Sequence, residues 1–456
     1  MIRTLLACSA AFLAAVLSSD PAHAAVPDRL ALVGGMLLDG YGGTPVHHAA
    51  ILIEGNRIVA AGPTAEVAIP PGTPLIDTSG ETMMPGMIEL HAHLALMGDG
   101  DISRWFAWLD QHRDTYPLNR VMELSARQLL SAGVTSAVDL GAPLKESVTV
   151  RDKIARGEIP GPRLSVSGPW LIPEIAIFPP NCQIVVHTAA EAAKATEDNI
   201  RGGADVIKAQ GGLSLEQYQA IVATAHKYHV KVHAHLYEEQ AVQNAFDAGV
   251  DVLQHVGSAG TPPYRAALVK EIAESGRPIV PTAAHRVWVL PATREFPERL
   301  DDPALAREFP ADIWAEMHDS FKNFGALGYF RNHVQEEANG DASISQWIRA
   351  NAVIGMGSDS GSPLNFHTDA LWREAKVFVD HGMPPTRVIT ALTLVGARIL
   401  GNEKDLGTIE PGKLADIAVI RGNPLFDIVA LSDVDVVVKG GVPYRDAIIL
   451  AVAPRR

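Results

Sequence analysis

The chain has 456 residues, 47% of them hydrophobic, and a formal net charge of −14. This supplies enough apolar matter for a large core, and barrels of this length occur as single domains. An acidic surface argues against nucleic acid and anionic membranes as partners.

The chain opens with one basic residue, Arg3, then an apolar run from Leu5 to Leu17, then Pro21-Ala22-His23-Ala24-Ala25. A short apolar core before a small-x-small site reads as a signal peptide, residues 1–24, cut after Ala24. The run is too short to span a bilayer, and no later segment is long enough to do so. Leu5-Leu6-Ala7-Cys8 only faintly resembles a lipoprotein box, since no apolar core precedes it. The expectation is an exported protein, periplasmic or secreted. Cleavage removes Cys8, so Cys182 has no disulfide partner within the chain. It reads as a packed hydrophobe rather than a nucleophile.

Residues 25–84 carry short strand-like runs, Ala31–Leu38, Ala50–Glu54 and Arg57–Ala60, separated by turns such as Glu54-Gly55-Asn56. The same texture returns in residues 405–456, at Asp416–Ile420 and Asp435–Lys439 around Gly440-Gly441. A small β-sandwich built from both ends of the chain is predicted.

Between them, residues 85–404 alternate apolar strands with helical stretches. Eight strands are predicted: Met84–His93, Thr135–Leu140, Arg163–Gly168, Asp205–Gln210, Lys231–Leu236, Val252–Val256, Pro278–Ala283 and Val353–Asp359. Helical stretches such as Leu215–Lys227 and Gln240–Ala248 separate them. This order predicts an α/β fold, a (β/α)₈ TIM barrel. An open doubly wound sheet would need a Gly-rich phosphate turn, which the sequence lacks. The stretch from Ala284 to Asn351 is unusually long and holds Trp288, Trp314, Phe321, Phe324, Tyr329, Phe330 and Trp347. Such connections serve as binding elements or as extra packed helices.

His91 and His93 end the first barrel strand two residues apart, so both imidazoles share a strand face. Lys208 ends the fourth strand, His233 and His235 the fifth, His255 the sixth and Asp359 the eighth. Singly, each has an ordinary structural use: a snorkelling lysine, a core histidine, a turn-capping aspartate. Together they fall where this fold puts its chemistry, at the C-terminal ends of the strands.

Met84-Pro85-Gly86-Met87-Ile88-Glu89-Leu90-His91-Ala92-His93 resembles the first-strand signature of the amidohydrolase superfamily. Gly357-Ser358-Asp359-Ser360-Gly361 resembles its eighth-strand motif, and Gly407-Thr408-Ile409-Glu410-Pro411-Gly412-Lys413-Leu414-Ala415-Asp416 its return to the β domain. The resemblance spans nearly the whole mature chain and is nearest the imidazolonepropionase-like and prolidase-like branch. It implies two divalent metals, Zn²⁺ being well suited to imidazole and carboxylate, held by His91, His93, a carboxylated Lys208, His235, His255 and Asp359. His235 is preferred to His233 because it lies nearer the strand end and precedes His255 by the branch's spacing of twenty. A metal-bridging hydroxide would attack the substrate, with Asp359 as general base and then acid.

Tyr237, just past the fifth strand, is a candidate donor to the substrate carbonyl. His285 and Arg286 are candidates for a substrate carboxylate, and Trp288 for an apolar wall; packing is the alternative for each. His187 and His367 receive no role. The expected substrate is a small amide, a dipeptide or N-acyl amino acid. The rivals are a lactonase or cyclic-amide hydrolase using the same metals, and a non-catalytic binding protein on the same scaffold. Nothing in the sequence conflicts with a homo-oligomer.

Overall fold

The computed structural model describes residues 28–450 and 452, apart from 177, 258–262, 323–326 and 329–332. The proposed signal segment, Phe324, Tyr329 and Phe330 lie outside the described residues.

The two ends of the chain do meet. One sheet pairs Glu81–Pro85 with Ile417–Arg421 in antiparallel register, Ile417 opposite Pro85, and continues through Val434–Lys439 and Val442–Arg445. A second sheet holds Arg29–Val33, Ala49–Glu54, Arg57–Pro63 and Leu75–Asp77. Ile417, Val419 and Met83 join Leu30, Leu32 and Ile51 in a cluster shared by the two sheets. The alternate residues Ala418, Ile420 and Met84 point the other way, into the main core. Because side chains alternate, burial on both faces requires an unbroken apolar run, which is what Ile417–Ile420 supplies.

At Gly86 the chain leaves this sheet and enters the parallel one. The Gly86 N–H is held by the Asp416 carbonyl, and a Cβ there would lie 2.2 Å from Thr135 Oγ1. The predicted single strand Met84–His93 is therefore two, Glu81–Pro85 and Met87–Ala92. The second runs parallel to Val134–Asp139, which runs parallel to Arg163–Val166. A separate parallel sheet contains Gln183–Val185, Trp170–Ile172, Val206–Ala209, Lys231–His235, Val252–Gln254 and Ile279–Val280. Helices, among them Ala189–Arg201, Leu215–Lys227 and Glu239–Asp247, connect its members. The Asp205 N–H bonds the Val166 carbonyl between the sheets at 2.8 Å.

Two predicted strands are cut short. Pro278–Ala283 is a strand only at Ile279–Val280. Thr282 sits at φ +52°, and the next two N–H groups, of Ala283 and Ala284, turn to the buried carboxylate of Glu374. Val353–Asp359 is no regular strand; it makes isolated bridges at Ile354 and, just beyond, Ser360. Gly355 and Gly357 pack too closely on Leu90, Val280 and His91 to carry side chains, and Asp359 has φ +60°. The segment still runs beside Met87–Ala92: Leu90 N–H bonds the Met356 carbonyl and Asp359 N–H the His91 carbonyl.

Among its described residues, the long connection holds helical segments at His285–Val289, Leu290–Glu295, Ala311–Ser320 and His333–Arg349. Val289, Leu290, Ile313, Met317 and Phe321 share a cluster with Leu96, Ile102, Trp105 and Phe366, so these residues serve packing. Cys182 is buried, and burial pushes its thiol up to about 12, which suits the packing role.

Asp99, beside that cluster, is 4% exposed, and burial raises its carboxyl to about 7. The folded protein therefore holds a proton there that the unfolded chain has lost. The neutral-form stability is complete below about pH 4 and is lost as pH rises to 7. Asp99→Asn removes this dependence. In urea titrations the variant should gain on the wild type between pH 4 and 7, by on the order of 3 kcal/mol. A constant difference across that range would contradict the assignment.

Candidate metal centre

His91 and His93 are delivered by the end of Met87–Ala92, and Asp359 by the segment bridged to it. The Asp359 Oδ1 lies 3.1 Å from His93 Nε2 and 3.7 Å from His91 Nε2. One ligand atom from each of these three buried residues falls within 4.8 Å of the others, the arrangement a metal ion needs.

The other predicted groups surround this trio. Lys208 is completely buried, its Nζ 3.2 Å from His91 Nε2. The His255 ring is 4.4 Å from that of His91 and 4.1 Å from that of His235. His255 Nδ1 is held at 2.7 Å by Thr282 Oγ1, while its Nε2 is buried without a hydrogen-bond partner. A buried lone pair left unused beside two other imidazoles is one that a cation would satisfy. The donor set thus fits divalent metal.

Burial drives the imidazoles of His91, His235 and His255 well below their ordinary range, and the neighbouring cationic groups add to this. A neutral ring keeps one N–H and offers a lone pair on its other nitrogen. Burial alone would raise the Asp359 carboxyl; the hydrogen bond with His93 and the electrostatic pull of the neighbouring His91, His93 and His285 rings lower it far below its ordinary value. Burial lowers the Lys208 amine to about 7. Backbone strain gathers here too: His255, Thr282 and Asp359 all have positive φ, a costly conformation for residues other than glycine that clusters at functional sites.

His233 is separated from His235 by its partner. Its Nδ1 accepts from Gln254 Nε2 at 2.9 Å, and Gln254 Oε1 accepts from His91 Nδ1 at 2.8 Å. This bridge leaves His91 Nε2 as the lone-pair nitrogen facing Asp359 and Lys208. His235 instead lines a cavity of about 210 Å³ with His93, His255 and Asp359. Tyr237 lines it as well, and Trp170, Ile172 and Phe178 form its apolar wall.

His285 and Arg286 are buried. His285 Nδ1 is 3.9 Å from Asp359 Oδ2 and 2.5 Å from an Arg286 nitrogen, its Nε2 donates to the Pro363 carbonyl, and Arg286 pairs with Glu336 at 3.1 Å. Trp288 stands off the cavity, under the Arg373 guanidinium at 4.1 Å. His367 is buried, held by Ser360 Oγ and the Leu96 carbonyl.

Sequence reasoning passed over several of these residues. Gln254 is an uncharged neighbour of a histidine, and its partners are distant in sequence. Glu89 had a signal, being an acid inside an apolar strand. It accepts from the N–H groups of His91 and Ser358 and from Ser358 Oγ, and burial lifts it to about 8. It ties the His91 strand to the Asp359 segment. Trp170 and Phe178 belong to a short strand and loop that the pattern did not separate from its surroundings.

The Gln254 bridge makes a prediction. Gln254→Ala frees the His91 ring, and metal affinity should fall about 10–100-fold, as for lost partners of ligating histidines. Competition with a chromophoric chelator measures this, and unchanged affinity would refute the orienting role.

A model of the amidohydrolase family matches residues 82–443. The chain belongs to the amidohydrolase family. It is 25% identical over 463 residues to a 5-methylthioadenosine/S-adenosylhomocysteine deaminase of Symbiobacterium thermophilum, covering 92% of this chain and 94% of that one. It is 23% identical over 410 residues to an imidazolonepropionase of Thermoplasma acidophilum, covering 85% and 86%. A structure from Bifidobacterium longum described as a prolidase superposes with a TM-score of 0.72 at 27% identity, over 94% of this chain and 97% of that one. A Xaa-Pro dipeptidase with methionine bound in its active site superposes with a TM-score of 0.71 at 22% identity, over 91% and 100%. These relatives include the imidazolonepropionase-like and prolidase-like branch that the motifs resemble. The protein is accordingly an α/β hydrolase of a metal-dependent family.

Proposed function

We propose that this protein hydrolyses an amide bond in a dipeptide or N-acyl amino acid, at a binuclear centre in the mouth of a (β/α)₈ barrel. Lys208 is the observation that carries the reading. A fully buried lysine 3.2 Å from the ring nitrogen of His91 has no acceptor to offer a metal as an ammonium. Reaction of its neutral amine with CO₂, with loss of one proton, would give a carbamate, a single negative charge shared by two oxygens that could hold metal. His91, His93, Lys208, His235, His255 and Asp359 are the proposed ligands, with Gln254 and Thr282 fixing the rings of His91 and His255.

Two divalent ions held by these residues, Zn²⁺ being the first choice, would supply a water acidified so as to ionise near neutral pH and a Lewis acid for the scissile carbonyl. Asp359 takes the proton of the attacking water and passes it to the leaving nitrogen as the C–N bond breaks. Tyr237, beside His235 with ring centroids 4.6 Å apart, donates a hydrogen bond to the carbonyl oxygen. Arg286, buttressed by His285 and Glu336, supplies positive charge for a substrate carboxylate. Trp170 and Phe178 keep water from the reacting bond.

A second reading, hydrolytic deamination of an adenosine-like compound, is favoured by the names of the curated relatives. A turnover panel of dipeptides, N-acyl amino acids, lactones and adenosine nucleosides separates these readings. Release of an amino acid from a dipeptide or N-acyl amino acid is the expected result. Ammonia release from the nucleosides alone, or lactone opening alone, would overturn the amide reading. The segment 1–24 is proposed as an export signal, with the mature protein periplasmic or secreted.

A further inference from the structure

The end of the parallel strands opposite the metal centre holds a second, larger cavity of about 700 Å³. It is formed where the strands begin, at Lys231, Val252, Pro278 and Val353. Its polar character is unlike that of the molecule as a whole. Lys231, Arg277, Arg387 and Arg398 all line it, against a single lining carboxylate, Asp251, in a chain of net charge −14.

That carboxylate is already engaged: Asp251 Oδ2 accepts from the Val232 N–H at 2.8 Å and from His226 Nε2 at 2.9 Å. The cations are positioned by neutral groups. Lys231 donates to the Ile399 carbonyl, Arg277 to the carbonyls of Gly249 and Val250, and Arg387 to that of Ala352 at 3.0 Å. Carbonyls orient a guanidinium without cancelling its charge. Among the described residues, neither Arg387 nor Arg398 forms an ion pair with a carboxylate. Val252, Ile354, Met383 and Ile399 supply apolar surface between the cations.

We propose that this cavity binds a small phosphorylated molecule, its phosphate held among Lys231, Arg277, Arg387 and Arg398 and its body on the apolar floor. Arginine's planar fork matches phosphate oxygens in pairs. Four cations against one engaged carboxylate favour a dianion over a monoanion. The site is at the strand beginnings, so it is independent of the hydrolytic reading.

The test is calorimetric titration of the metal-loaded protein at low salt with phenyl phosphate, and with benzoate as the monoanionic comparison. Phenyl phosphate should bind once per chain and at least about tenfold more tightly than benzoate. Arg387→Ala/Arg398→Ala should weaken it by at least about tenfold. Arg398→Glu, at an exposed position, should do the same and serves if loss of Arg387 impairs folding. Absence of binding, equal binding of benzoate, or binding unchanged in Arg398→Glu, as expected of phosphate at the metal centre, would overturn the proposal.

Discussion

Asp359→Asn should lower turnover about 10²–10⁴-fold, the range expected when a general acid–base group is lost. The amide keeps the size of the side chain but cannot take a proton at neutral pH. The carboxylate is prepared for the task by its surroundings: His93 at 3.1 Å and His91 at 3.7 Å, with His285 on its other oxygen. The hydrogen bond with His93 and the surrounding imidazole rings favour the ionised carboxylate despite burial. Metal content must be measured alongside turnover. A variant with near wild-type turnover and full metal content would remove Asp359 from the chemistry.

Lys208→Ala should reduce bound metal from two ions per chain to one and turnover by about 10²-fold or more, as expected when second-metal and positioning contributions are lost together. The change also opens a cavity in a fully buried site, so unfolding midpoints should be compared first. Short-chain carboxylic acids added to the variant should restore part of the activity, since they replace the proposed carbamate oxygens, whereas a role in packing alone would not respond. One tightly bound metal in the wild type, with Lys208→Ala fully active, would refute the carbamate.

Much of this was legible in the sequence because strand ends impose position. His91 and His93 share a face by the two-residue period, and the apolar runs before Lys208, His235 and His255 announce fully buried parallel strands. The β-rich chain ends were readable from their turns, and the same texture at both ends suggested that they belong together. What the sequence could not carry depends on register and close approach. Gln254 joins His91 to His233 only because Lys231–His235 and Val252–Gln254 are paired with His235 opposite Gln254. Asp359 reaches the site from a segment that looks like a strand but is held extended by two glycines packed against neighbouring strands. Trp288 looked like a substrate wall because it follows the seventh strand. The helical turn that begins at His285 carries it to Arg373, and Trp170 and Phe178 take the cavity instead.

The central claim is that this cluster of imidazoles, lysine and carboxylate works by holding metal. It is tested most directly by following dipeptide or N-acyl amino acid hydrolysis through prolonged chelation and metal return. Activity should vanish with the metal and recover on addition of Zn²⁺, Mn²⁺ or Co²⁺, reaching its plateau at two ions per chain. Full activity in protein shown to be metal-free would contradict the account.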